Sequence, residues 1–265
     1  MKSVYTGGEK VAEFESYDEL RVGDGKPAFI YEGNELVYPN PVKDGLVLWY
    51  DFSGRTNADG QRGVAEDFSG NGNHGTLQNF NYTAESGYDK NKLLFDGVDD
   101  YVSSEKRISS RTLEVTFNYS TAEQPYQAII STYSHRNIRS GMTINVYRNK
   151  IVVFGGSPEE QLSLSTAGFL LEAGKPYHII AIAENDKCQV FLNGEFVHEG
   201  DFKNYTPEQT DSMFPGVYLG RWNSFRDYAQ KGFTGSARIY NRPLTAEEIS
   251  HNYAIEKERF NMQEV

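Results

Sequence analysis

Between residues 45 and 102 the chain alternates short apolar runs with polar, glycine-rich breaks. Leu46 to Phe52 is apolar, rich in β-formers and bounded by Gly45 and Ser53, which predicts a buried strand. Asp67 to Gly75 puts three Gly, two Asn, an Asp and a Ser into nine residues. No regular element accommodates that composition, so it predicts a tight hydrogen-bonded loop using left-handed backbone. Leu94 and Phe95 return to strand before a turn at Asp96-Gly97, with Tyr101 and Val102 after it.

Further strands are predicted near Thr112–Asn118, Ala128–Tyr133, Met142–Tyr147, Lys150–Phe154, Tyr177–Ala183 and Gln189–Asn193, then at Leu219 and at Ala237–Tyr240. VYRNKIVV reads as a hairpin about Arg148-Asn149, and Asn193-Gly194 suits a type I′ turn, which needs positive φ at both central residues. Residues 199–214 read as polar loop. One helix is signalled. Thr245 and Glu248 form a capping box, Leu244 and Ile249 a hydrophobic staple. It is expected to run to about Lys257 and to dock through Ile249, Tyr253 and Ile255.

Residues 1–41 follow another pattern: SVYTGGEKVAEF, ELRVGDGKPAF and FIYEGNELVYP each place a Gly-containing turn between β-formers. A segment this short buries little surface alone, so it is expected to order only by pairing with the rest of the chain or with another protein. Pro39-Asn40-Pro41 marks a rigid boundary. The predicted organisation is an N-terminal β-arm over residues 1–41 and one large β-domain over 42–265.

Composition narrows the partners. In 265 residues, 14% aromatic content and 25 Gly favour strands and turns over helices. A net charge of -11 argues against nucleic acid, whose phosphates select Lys and Arg clusters, and against anionic lipid. The lone Cys188 sits in a strand pattern, reads as a packed thiol, and leaves no internal disulfide. The first residues lack the apolar core of a signal peptide, and no run is long enough for a membrane helix.

The order of strand, Asp-x-Ser-Gly-x-Gly-Asn loop, strand and Phe-Asp-Gly-x-x-Asp-Tyr turn resembles the laminin-G-like branch of the concanavalin A-like lectin/glucanase superfamily. GVYLGRW at 216–222 and GFTGSARIYNRPLTAEEI at 232–249 resemble that family's closing strands and terminal helix. The likeness spans roughly residues 44–258. It implies an all-β jelly-roll sandwich of two antiparallel sheets, with the N-terminal β-arm and a short C-terminal helix appended. The arm itself resembles the Gly-turn leaders of tail and minor structural proteins of tailed bacteriophages. That implies attachment of residues 1–41 to other virion proteins, homo-oligomeric copies in the particle, and assembly in the cytoplasm of a bacterial host. An arm that packs on its own domain is the alternative.

Hydrolases of this fold carry E-x-D-x-x-E on a strand. The nearest match, Glu184-x-Asp186-x-x-Gln189, replaces the last carboxylate and contains Asn-Asp-Lys, a turn sequence. His74, His135, His178, His198 and His251 lack metal-ligand spacing. Asp67 and Asn71 either cap backbone groups in their loop or help hold calcium, the one cofactor suggested; Asp96, Asp99 and Asp100 pose the same choice.

Two loops have the aromatic and polar composition of a glycan site. One holds Arg221, Trp222, Asn223, Phe225, Arg226 and Tyr228, the other His135, Arg136, Asn137 and Arg139. Packing at the sandwich edge and contact with another subunit remain open for Trp222 and Phe225. The expectation is a non-enzymatic virion protein, tail or otherwise surface-exposed, that binds host-cell glycan. Alternatives are a bacterial lectin module, a decoration protein without ligand, and a glycoside hydrolase.

Overall fold

Leu113, Val115 and Phe117 face one way along a single strand and Thr112, Glu114 and Thr116 the other, yet all six are buried. That strand therefore has cover on both sides. In the computed structural model, backbone is described at 2–6, 9–14, 30–32 and 35–38, and full residues at 40–121, 125–134, 139–166, 168–209, 216–222 and 228–262. The chain divides into two units, Met1–Pro41 and Val42–Val265. In the first, β1 (Lys2–Thr6) pairs antiparallel with β2 (Glu9–Phe14), and β3 (Ile30–Glu32) with β4 (Glu35–Tyr38).

The second unit is a sandwich of two antiparallel sheets. Sheet one has the order β15 (Gln161–Ser165), β14 (Lys150–Gly156), β13 (Met142–Tyr147), β12 (Tyr126–Ser131), β19 (Tyr218–Leu219), β10 (Tyr101–Ser103), β7 (Gly75–Gln78), β6 (Val64–Ala65). Sheet two runs β18 (Glu195–Asp201), β17 (Lys187–Leu192), β16 (Tyr177–Glu184), β11 (Thr112–Phe117), β20 (Lys231–Tyr240), β9 (Lys92–Asp96), β8 (Gly87–Asp89), with β5 (Leu46–Asp51) also on β20. Leu48, Tyr50, Phe95, Val115, Ile130, Ile144, Val153, Ile179 and Leu219 meet between the sheets.

The short strands β6, β7 and β8 lie where no strand was expected, and two longer ones also differ from expectation. β15 alternates exposed and buried residues at the rim of sheet one. β18 extends to Asp201, into the stretch read as loop; it is polar because it is an edge strand with much of its surface in water. The hairpin turns are as predicted: Asn193 and Gly194 have φ of 51° and 82°, Arg148 and Asn149 of 45° and 63°. Cys188 is fully buried, and burial pushes its thiol far above the usual range.

The helix α1 (Ala246–Arg259) begins at the expected capping box. Its cover explains Glu114. Arg238 of β20 donates to both Glu114 and Glu256, the latter at 2.5 Å. His178 Nε2 lies 3.0 Å from Glu114 Oε1, and Asn252 Nδ2 donates to Glu114 Oε2 at 2.7 Å. Arg259 bonds Glu256 at 3.0 Å and Asp51 at 2.7 Å, and Thr116 donates to Glu256 Oε2. Three carboxylates, two guanidiniums and an imidazole thus fix the helix across β16, β11, β20 and β5.

Burial alone would raise the Glu256 carboxyl, but Arg259 and Arg238 overcome it and hold it at about 2, against an ordinary 4.5. A folded-state value below the unfolded one gives stability that is present above about pH 4.5 and lost as pH falls toward 2. The expected loss is roughly 3 kcal/mol. Urea unfolding of wild type between pH 6 and 2.5 checks this, with Glu256→Gln expected to lose that part of the acid dependence.

Candidate functional site

Three strands of sheet one converge on a polar cavity. The turn from β9 into β10 closes on itself: Val98 N donates to Asp96 Oδ1 at 2.8 Å, and Asp96 N to Asp100 Oδ2 at 3.0 Å. β10 pairs on one side with β7, which puts Asn79 beside the turn, where its Nδ2 donates to Asp99 O at 3.0 Å. On its other side it pairs with β19, which brings Tyr218 against Tyr101, ring centroids 6.4 Å apart. Gly220 then has φ +76, and a side chain there would collide with the Phe95 ring. This close passage sets the Arg221 guanidinium 4.6 Å above the Tyr101 ring. Asn79, Asp99, Asp100, Tyr101, Arg221 and Ala229 enclose about 270 Å³.

Asp100 is 1% exposed. Burial, helped by the charges of Asp96 and Asp99 and opposed by the Asp96 N–H, pushes its carboxyl up to about 6. A larger cavity of about 490 Å³ lies at Tyr119, Gln127, Arg148 and Leu171. Its buried polar groups are spent: Gln127 bonds Ser120 O and Lys231 N, and the Tyr119 hydroxyl donates to Leu171 O. The smaller cavity keeps polar atoms free for a ligand.

Of the glycan candidates, Arg221 stands in this cavity. Trp222 does not offer a platform, which corrects the sequence expectation. It is 7% exposed and stacks on Phe154 at 5.3 Å and 6°, with Tyr133 at 5.6 Å and Tyr228 at 5.5 Å. The small Ala128 side chain leaves the space its indole fills. The ring run continues through Tyr126, 5.4 Å from Tyr228, to Tyr147 at 4.1 Å, all three half-buried. Arg139 donates to Glu159 O at 3.4 Å, and its charge acts on the buried Tyr133. His135, Arg136, Asn137, Asn223, Phe225 and Arg226 lie outside the described residues.

The loop at Asp67 takes the capping role. Asp67 Oδ1 accepts from Trp49 N and Ser69 N, and Oδ2 from Asn73 N, at 2.8–3.0 Å. Asn71 turns its amide nitrogen, a donor, onto Leu46 O and Ser69 Oγ. Three N–H dipoles aimed at one carboxylate are the wrong surroundings for calcium, which corrects Asp67 and Asn71 as ligands. Glu184-x-Asp186 sits in the β16–β17 hairpin, Asn185 and Asp186 at φ 50° and 60°, both carboxylates exposed. Asn79 and Tyr101 were missed as ligand-site residues, and Asp99 and Asp100 were named only as turn residues or ion ligands. The signal for Tyr101 was its place after Asp-Asp at the end of a turn, and Asn79 had none, because its role comes from the pairing of β10 with β7.

A family model described as the concanavalin A-like lectin/glucanases superfamily matches residues 96–250, more than half of the chain. No curated protein matches the sequence. Among solved structures, the binding domain of botulinum neurotoxin serotype D superposes with TM-score 0.60 at 14% identity, covering 80% of this chain and 52% of that one. The binding domain of Paraclostridial Mosquitocidal Protein 1 gives 0.58 at 13%, covering 80% and 52%. Trypanosoma rangeli sialidase with the inhibitor DANA gives 0.53 at 13%, covering 78% and 32%. The chain spans about half the length of the toxin domains and a third of the sialidase. At these identities the likeness is one of fold.

Proposed function

Because the chain belongs to the concanavalin A-like lectin/glucanase superfamily, we propose that its sandwich binds glycan without hydrolysing it. The observation that carries this is the cavity of Asn79, Asp99, Asp100, Tyr101 and Arg221, where an aromatic ring, a stacked guanidinium, an amide and carboxylates converge. Sugars present apolar ring faces beside hydroxyl groups, and such a set meets both. Asp100 raised to about 6 is also what a general acid needs, which favours hydrolysis as the second reading. Binding is preferred because the Asp100 carboxyl is tied into its own turn by Asp96 N.

The unit Met1–Pro41 is read as the attachment to other proteins of a phage particle, with homo-oligomeric copies presenting the sandwich to host glycan. The support is the leader-like sequence of that unit. The sandwich is tested on an array of bacterial glycans and cell-wall fragments. Arg221→Ala and Tyr101→Ala are expected to weaken binding roughly tenfold or more while leaving the unfolding transition near wild type. A blank array with folded protein sinks the reading in favour of a decoration role. Reducing-sugar release that Asp100→Asn abolishes replaces it with hydrolysis.

A further inference from the structure

The walls of the Tyr101 cavity carry more negative charge than they neutralise. One ligand oxygen from each of Asp96, Asp99 and Asp100 lies within 4.8 Å of the other two. Asp100, 1% exposed, lines the cavity, and its Oδ1 has no hydrogen-bond partner. The Ser86 hydroxyl acts on the same carboxyl without meeting Oδ1 in a hydrogen bond. Among the described residues no cation forms an ion pair with any of the three aspartates; the charged pairs of the sandwich lie elsewhere. Arg221, the cation of the wall, is committed to the Tyr101 ring. One guanidinium against the two lining carboxylates of Asp99 and Asp100, with Asp96 in the turn behind them, leaves an excess of negative charge.

A buried, unpartnered carboxylate oxygen costs free energy that a bound cation removes. A divalent ion asks for six or more oxygens. Here Asp96 Oδ1 and Asp100 Oδ2 already receive backbone N–H groups, which leaves too few. An ammonium group has three donors and needs about three acceptors in a cluster of this size. An organic cation also uses the ring and the amide beside it. We propose that the Asp96–Asp100 turn is a subsite for the ammonium group of an unacetylated amino sugar. This rests on the glycan-binding reading and names the ligand class within it. Carboxylated sugars are repelled by the same turn.

Titration of the 265-residue protein with glucosamine oligomers, N-acetylglucosamine oligomers and a sialylated oligosaccharide, each with chelator and with added calcium, tests it. The amino oligomers are expected to bind about tenfold or more tighter than the acetylated ones, less tightly at high salt, and equally with chelator. Asp99→Asn, on an exposed side chain whose loss leaves the fold intact, and Asp100→Asn are both expected to reduce that preference severalfold. Equal affinity for amino and acetylated oligomers overturns the inference and leaves glycan binding standing. Binding lost on chelation overturns it in favour of a metal ion. Preference for the sialylated sugar also overturns it, and folded protein that binds none of the three sinks both readings.

Discussion

Replacing Arg238 by Met is expected to lower the unfolding free energy by about 3–5 kcal/mol, the cost of breaking a buried ion pair from one side. Arg238 is 0% exposed and bridges Glu114 of the sheet to Glu256 of the helix. Without it Glu256 retains Arg259, but Glu114 keeps only His178 and the Asn252 amide. An uncompensated buried carboxylate takes up a proton, so its folded-state value rises above the unfolded one. The deficit of the variant against wild type is therefore expected to shrink as pH falls from 7 to 5. Adding Glu114→Gln is expected to restore part of the loss at pH 7. Urea titrations of the three proteins at both pH values decide it. A loss below about 1 kcal/mol, or a deficit that grows toward pH 5, contradicts the charge argument.

Trp222→Ala is expected to destabilise the sandwich by about 3–5 kcal/mol, as removal of a buried indole does when its surroundings relax only in part. Phe154, Tyr133 and Tyr228 each lose a ring partner within 5.3–5.6 Å. Trp222→Phe keeps a ring against Phe154 and is expected to lose distinctly less. Differential scanning calorimetry of both variants measures the difference. A near-wild-type alanine variant shows instead that the ring stands in solvent and is available to a ligand.

Trp222 shows where sequence reading stops. Trp, Phe and Tyr among arginines at a loop have the composition of a glycan platform, and composition does not tell a ring that stacks on ligand from one that stacks on Phe154. Backbone features were legible because they are local: the Thr245–Glu248 box, the Asn193-Gly194 turn and the polar loop at Asp67 rest on residues near in sequence. Glu114 was not, because its burial depends on a helix 140 residues downstream, reached through Thr116 and Glu256. The cavity was half legible. Arg221 drew notice by its charge and Asp99 and Asp100 as turn carboxylates, whereas Asn79 and Tyr101 acquire meaning only from the pairing of β10 with β7 and β19.

A sandwich has two outer faces, and α1 takes one of them. The ion network beneath it tolerates little exchange, because each charge is balanced by a named partner. The cavity lies at the ends of strands of the other sheet and shares none of those residues. Substitutions at sites without shared partners add their effects nearly independently. Substitutions in the cavity are therefore expected to leave the stability supplied beneath α1 nearly unchanged, and the reverse.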